Sequence, residues 1–212
     1  MIGIAIGLAP PVLAVSGIEW EEAMGVIDSL IKASRAGESL QRSTVLQTLK
    51  PEEFDGTAAV GLINAHPDFT SYQLLFALRQ TKPALYQELP AAVRAQVLAD
   101  ALAHVRALND WGYLDPSGSH DGEAARALLA LGAAAVAPLV PLLDDDRPAP
   151  LFGSEPAAMS SLYRYRRKDF AYRYIALLTG RHPEFDADPR ERDAEIAHLA
   201  AALRRSGGAS VK

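Results

Sequence analysis

From Glu19 onward the apolar residues of this chain recur at helical spacing. Trp20, Ala23, Met24, Ile27 and Leu30 follow the i, i+3, i+4, i+7 pattern, with Glu21, Glu22, Asp28 and Lys32 opposite them. Gly37 ends this predicted helix. Ser39 is placed to cap the next, which carries Leu40, Val45, Leu46 and Leu49. Pro51 stands where a third helix would start, with Glu52 and Glu53 suited to its positive end and Phe54, Ala58, Leu62 and Ile63 facing inward. His66-Pro67-Asp68 reads as a turn, and a helix over about Thr70 to Arg79 presents Leu74, Leu75 and Leu78. Pro83 and Pro90 leave room only for a short helical turn around Leu85-Tyr86. Ala91 to Leu108 is the longest predicted helix, lined on one side by Val97, Leu98, Ala101, Leu102, Val105 and Leu108.

The segment NDWGYLDPSGSHDG, 109–122, is the most turn-rich of the chain, a structured loop or a linker between helical subdomains. Beyond it Asp121 to Gly180 reads as two consecutive helix pairs, and a last amphipathic helix from about Pro189 to Arg205 carries Ile196, Leu199, Ala200 and Leu203. Ser206-Gly207-Gly208 releases that helix into a tail. No segment alternates with period two, so no sheet of consequence is expected. The pattern predicts an all-α protein of about nine helices. Residues 1–18 form an apolar arm, 19–110 a set of N-terminal hairpins, 111–205 a C-terminal helical region and 206–212 a tail. The span 19–205 is expected to be one continuous domain.

Composition narrows the class. Alanine and leucine dominate the apolar fraction, and β-branched residues are sparse, which favours helices. The formal net charge of −5 argues against wholesale nucleic-acid binding. The absence of cysteine removes disulfides, thiolate metal sites and cysteine nucleophiles together.

The uncharged stretch Met1 to Ile18 (MIGIAIGLAPPVLAVSGI) admits three readings. It has the apolar run and small-residue cleavage site of an export signal but no positive n-region. It is just under the length of a membrane span and is broken by Pro10-Pro11. It also reads as an apolar arm lying on the helical body. A cytoplasmic location is favoured, with export or membrane association the other two outcomes.

Asp121 to Gly180 resembles a HEAT-type helical repeat. Ala125, Leu128 and Leu129 lie on a first helix that ends at Leu131-Gly132, and Val136, Pro138, Leu139, Leu142 and Leu143 follow on a second, closed by an acidic turn. Lys168-Asp169-Phe170-Ala171-Tyr172-Arg173, with Ile175, Leu177, Leu178 and Gly180, is similar to the opening helix of a next repeat. The resemblance implies stacked antiparallel helix hairpins, an α-solenoid. It also implies a scaffold that binds proteins on a concave face, usually without catalysis. The connection Arg147 to Leu162 is far longer than a HEAT turn.

No catalytic motif emerges. Ser117, Ser119, His120 and Asp121 are neighbours in sequence, whereas catalytic triads are assembled from distant segments; Ser119 or Asp121 as the cap of the following helix explains them. Ser154 is read in the same way, as a cap for a helix that Pro156 would start. Glu195 and His198 have the i, i+3 spacing of carboxylate-bridged metal bundles, but no second such pair exists. No cofactor or metal is expected. The most unusual composition is Tyr163 to Tyr174, where Arg164, Arg166, Arg167, Lys168 and Arg173 interleave with four tyrosines and Phe170.

One reading of that run is structural, with aromatics packed at helical spacing and cations along the surface or paired with the Asp144-Asp145-Asp146 turn. The other is a binding surface for a protein partner, made by Phe152, Tyr163, Arg164, Arg166, Arg167 and Arg173, residue types enriched at interaction hot spots. In the same way Leu151 and Phe152 either plug the groove between hairpins or form a hot spot. The expected function is a non-catalytic interaction or assembly module. The first alternative is a HEAT-like nucleic-acid-binding protein, with a base-processing enzyme as its family precedent, using the same basic and aromatic run 163–174 with Trp111 or Tyr113 as a stacking platform. The second is a membrane-associated subunit held by residues 1–18.

Overall fold

The computed structural model describes residues 17–115 and 120–208, and side chains within 24–115 and 120–205. The readings of the apolar arm, of Ser117 and Ser119, and of the last four residues fall outside the described part. Among the described residues the protein is all-α: 72% is helical, with eleven helices and two short strands.

The first helix, α1 (Gly17–Arg35), ends as its glycine signal predicts. Gly37 adopts φ +66°, and the Gly37 and Glu38 amides fold back to the carbonyls of Ser34 and Ala33 at 2.8 and 3.1 Å. Ser39 is not the cap the sequence suggests. The Leu40 amide instead donates to Asp110 Oδ2 at 2.8 Å, a carboxylate 70 residues away, so a tertiary contact takes the place of a local one. Ser43 caps α2 (Thr44–Thr48) by accepting from the Leu46 amide. The helix expected at Pro51 is only a 3₁₀ turn over Pro51–Glu53. Asp55 then accepts from the amides of Thr57 and Ala58 and starts α3 (Gly56–Ala65) five residues later than the proline signal.

In α4 (Tyr72–Thr81) seven consecutive residues, Tyr72 to Leu78, are buried. A helix buried on all sides is a core element, and α4 packs on α1, α3, α6 and α5 (Pro83–Glu88). The next helix, α6 (Ala91–His104), stops four residues short of the predicted Leu108 because Val105 turns extended. The Arg106 amide then reaches the Gly37 carbonyl at 2.9 Å, and the carbonyls of Leu102 and Val105 are taken by Arg167. Two other helices are longer. On its outer side α6 meets α7 (Glu123–Leu129) and α8 (Val136–Leu139), so it joins the two halves of the chain.

The turn-rich segment is structured where it is described. A 3₁₀ turn over Asn109–Trp111 buries Trp111 completely, and β1 (Gly112–Tyr113) pairs antiparallel with β2 (His120–Asp121). Gly112 sits at φ +87°, where an added Cβ would lie 1.6 Å from the His120 carbonyl oxygen. Only glycine fits there. Asp121 does not cap α7: Gly122 occupies that position without a side-chain bond, while Asp121 pairs with Arg173.

After the break at Leu131-Gly132 the chain turns by 115°. The second helix of the expected pair is split into 3₁₀ turns on either side of α8, in keeping with Pro141, which cannot donate to a carbonyl four residues back. An extended segment then leads to α9 (Ser154–Tyr163), α10 (Arg167–Leu178) and α11 (Pro189–Gly208). Ser154 makes no capping bond; Gly153 at φ +92° turns the chain into α9. One contiguous apolar cluster runs from Ile27 in α1 to Leu199 in α11.

Candidate functional site

The basic run is divided by a reversal of the backbone. The last turn of α9 ends at Arg164, the one described non-glycine residue with positive φ (φ 50°, ψ 58°), where the Arg164 and Tyr165 amides both fold back to Ser160. This left-handed residue sends Tyr165 inward against Phe170 and Phe185 and lets its carbonyl accept from the Ala149 amide at 2.9 Å. The extended segment around Pro148-Ala149-Pro150 is therefore held against α9 and the start of α10.

Most cations of the run are matched inside the protein. Arg166 forms a capping box with Asp169 and reaches Asp193 at 2.8 Å and Asp146 at 3.5 Å. Lys168 joins the same two carboxylates, Asp146 at 2.6 Å and Asp193 at 2.8 Å. Burial works against the charge on Arg166 and Lys168, but these carboxylates outweigh it and hold both pKa values above their ordinary ones. Arg167 is buried and bonds the carbonyls of Leu102 in α6 and of Val105 just beyond it; burial lowers its pKa. Arg173 contacts Asp121 at 2.5 Å. Pairing with the acidic turn, expected for the structural reading, thus holds at Asp146.

The remaining candidates divide. Tyr163 is half-buried, stacked with Tyr165 and edge-on to Phe185. Phe152 is also half-buried, with the Arg42 guanidinium 3.9 Å from its ring centroid and both backbone groups bonded by Asn109, and it lines a different hollow from Arg164 and Arg166. Leu151, next to it, is buried. Trp111 is unfit as a stacking platform because its face lies on Tyr72 in the core, at 5.5 Å between centroids. Tyr113 is covered by His120. Glu195 and His198 are exposed, and no group of three acidic or histidine side chains converges to hold a metal among the described residues.

Arg164 is different. It is exposed, and among the described residues its guanidinium has no partner. It stands on the rim of a groove of about 580 Å³ whose walls are Pro148, Pro150, Leu151, Ala157, Tyr165 and Pro189. The groove lies between the extended segment, α9 and the first residue of α11, and on α9 Leu162 is 68% exposed. Arg190 shares a smaller adjoining hollow with Arg164, Asp188 and Pro189.

Two features escape a reading of the sequence. Arg192, 2% exposed, donates to Asp169, to the carbonyls of Asp186, Ala187 and Tyr163, and lies over the Phe185 ring. Asp110 is 1% exposed at the foot of a second, polar cleft. The carboxylate that Arg192 pairs with lies 23 residues away, and the amide and hydroxyl that bond Asp110 lie 70 and 38 residues away, so local pattern gives no signal. Searches against protein-family models, curated proteins and solved structures return no significant match to this chain.

Proposed function

We propose that this protein is a non-catalytic interaction module, built from helix pairs with HEAT-like geometry, that binds another protein through the proline-lined groove. The occupant is an extended peptide with an apolar anchor followed closely by a carboxylate. One observation carries the reading: an apolar groove of about 580 Å³ is bordered by the Arg164 guanidinium, which has no partner among the described residues. Mostly apolar walls with a few placed polar groups, here Ser160, Ser161, Arg164 and Arg166, are the usual composition of a specific pocket. An exposed arginine supplies a two-pronged donor for a carboxylate. Of the six residues the sequence singles out, Arg164 and Arg166 line this groove, and Tyr163 precedes them.

The nucleic-acid alternative draws less support, because Arg166, Lys168 and Arg173 already face carboxylates and the surplus positive charge of the run is small. A membrane-associated role rests on residues 1–18. Among the described residues no single helix is long and apolar enough to cross a bilayer, although the bent pair Glu123–Leu129 and Gly132–Asp144 meets the length and composition together.

The test is selection from a random-peptide library, followed by titration of a fluorescent consensus peptide. The expected consensus pairs an apolar residue with an acidic one. Ala157→Trp, which fills the groove, and Arg164→Glu, which reverses its rim, each weaken binding more than about tenfold without loss of helicity. Equal affinity for both variants and the wild type, or a consensus lacking acidic residues, would overturn the reading.

A further inference from the structure

We propose that the cleft between the 3₁₀ turn at Leu40–Arg42, α4 and α7 binds a small organic cation, an ammonium or guanidinium compound, against Asp110. The cleft measures about 550 Å³, a size suited to a small ligand. Asp110 lines it and is 1% exposed. Its Oδ2 accepts from the Leu40 amide at 2.8 Å and from the Tyr72 hydroxyl at 3.0 Å; among the described residues its buried Oδ1 accepts no hydrogen bond of normal geometry, and only the Gln41 amide further favours the carboxylate's charge. A buried carboxylate oxygen without a donor is costly, and a cationic donor is the group that removes the cost most completely.

The rest of the lining fits such a ligand. Asp121 and Glu123 add acidic groups, against the single cation Arg126, which donates to the Asp121 carbonyl at 2.5 Å. Three carboxamides, of Gln41, Gln47 and Gln80, supply neutral acceptors. Phe76 gives an aromatic wall. A cation already rests at this wall: the Arg79 guanidinium lies 5.8 Å from the Phe76 centroid and 3.5 Å from Glu123 Oε1, a loose contact between exposed side chains. A metal ion is the poorer fit, since no three acidic or imidazole groups converge among the described residues.

The charged and titratable groups around Asp110 are Tyr72 and Arg79 from α4, Glu123 and Arg126 from α7, Asp121 from β2, and Arg173 from α10 through Asp121. Burial raises the Asp110 carboxyl to about 6, with the Glu123 charge adding to that rise and the Leu40 and Gln41 amides and Tyr72 hydroxyl opposing it. A bound cation favours the ionised form and releases a proton when it binds near that pH.

Calorimetric titration with agmatine and with spermidine tests the site. Saturable binding is expected at pH 7.5, strengthening between pH 5 and 7 as Asp110 ionises. Asp110→Asn keeps an acceptor for Leu40 and Tyr72 but removes the charge, and weakens binding about tenfold or more. Glu123→Gln, at an exposed position, weakens it a few-fold. Gln80→Arg, on the exposed rim, places a tethered guanidinium beside the cleft and abolishes binding even if the Asp110 variant fails to fold. Absence of heat and of NMR shifts with both probes at millimolar concentration, or undiminished affinity in Gln80→Arg, would overturn the proposal, and a preference for anionic probes would do the same.

Discussion

The guanidinium of Arg167 closes the C-terminal end of a helix that lies 62 residues earlier in the chain, donating to the carbonyls of Leu102 and, at 2.7 Å, Val105. A cation there meets the negative end of the α6 dipole as well as two carbonyls that have no intrahelical partner. The contact fastens α10 to the central helix. Arg167→Ala leaves both acceptors buried and unpaired and is expected to lower stability by about 2–4 kcal/mol, read from the midpoint of urea unfolding. Arg167→Lys recovers only part, because one ammonium cannot span both carbonyls with the same geometry.

A buried ion pair fixes the last helix in a similar way. Arg192 Nε lies 3.2 Å from Asp169 Oδ1, with side chains 2% and 0% exposed, and the same carboxylate holds Arg166. Asp169→Asn leaves the buried Arg192 guanidinium without a carboxylate, while Arg166 keeps Asp193 and Asp146, and is expected to destabilise by about 3–5 kcal/mol, with α11 losing hydrogen-exchange protection first. Replacing Asp169 and Arg192 together by apolar residues costs less than the sum of the single changes, which a double-mutant cycle measures.

These two arginines also show how far the sequence could be read. The i, i+3, i+4 pattern locates the interiors of the helices: Leu74, Leu75 and Leu78, expected inward, are all 1% exposed or less. Helix ends are legible where the stop is local, as at Gly37 and Gly180. They are missed where a distant group supplies it, as at Val105, whose carbonyl goes to Arg167, and at Leu40, whose amide goes to Asp110. The aromatic and basic composition of 163–174 points to the right neighbourhood but not to the roles within it. Its partners include Asp121 and Asp193, and Arg164 is set apart by a backbone reversal that nothing in the letters announces.

Asp110 gives the protein an unusual pH dependence. Its folded-state carboxyl keeps its proton up to about pH 6, against an ordinary value of 3.8, because burial penalises the charge. Between those values the folded state binds more protons than the unfolded one, so this group's contribution to stability falls as pH rises from about 4 to 6. The loss amounts to about 3 kcal/mol at most. Asp145 and Asp193 act in the opposite sense. Burial opposes their charge, but Arg147 for the first, and Lys168 with Arg166 for the second, hold their pKa values below normal. Their contribution is present above the unfolded-state pKa and is lost on further acidification. Unfolding midpoints at pH 4, 5, 6 and 7 should therefore show Asp110→Asn gaining on the wild type as pH rises; a constant difference would remove the burial argument.

Arg164 separates stability from binding in one position. At φ 50° and ψ 58° an arginine carries the steric cost of the left-handed region, which glycine does not. Arg164→Gly is therefore expected to raise stability by about 0.5–1 kcal/mol, because the strain it relieves exceeds the added freedom of the unfolded chain. The same change removes the unpaired guanidinium from the groove rim, so the acidic peptide should bind several-fold more weakly to a more stable protein. Arg164→Lys keeps the charge and the strain, and should lose affinity through the missing two-pronged contact while stability stays level. If affinity instead follows stability across the three proteins, Arg164 serves the turn and not a partner, and the groove must be engaged through its apolar walls alone.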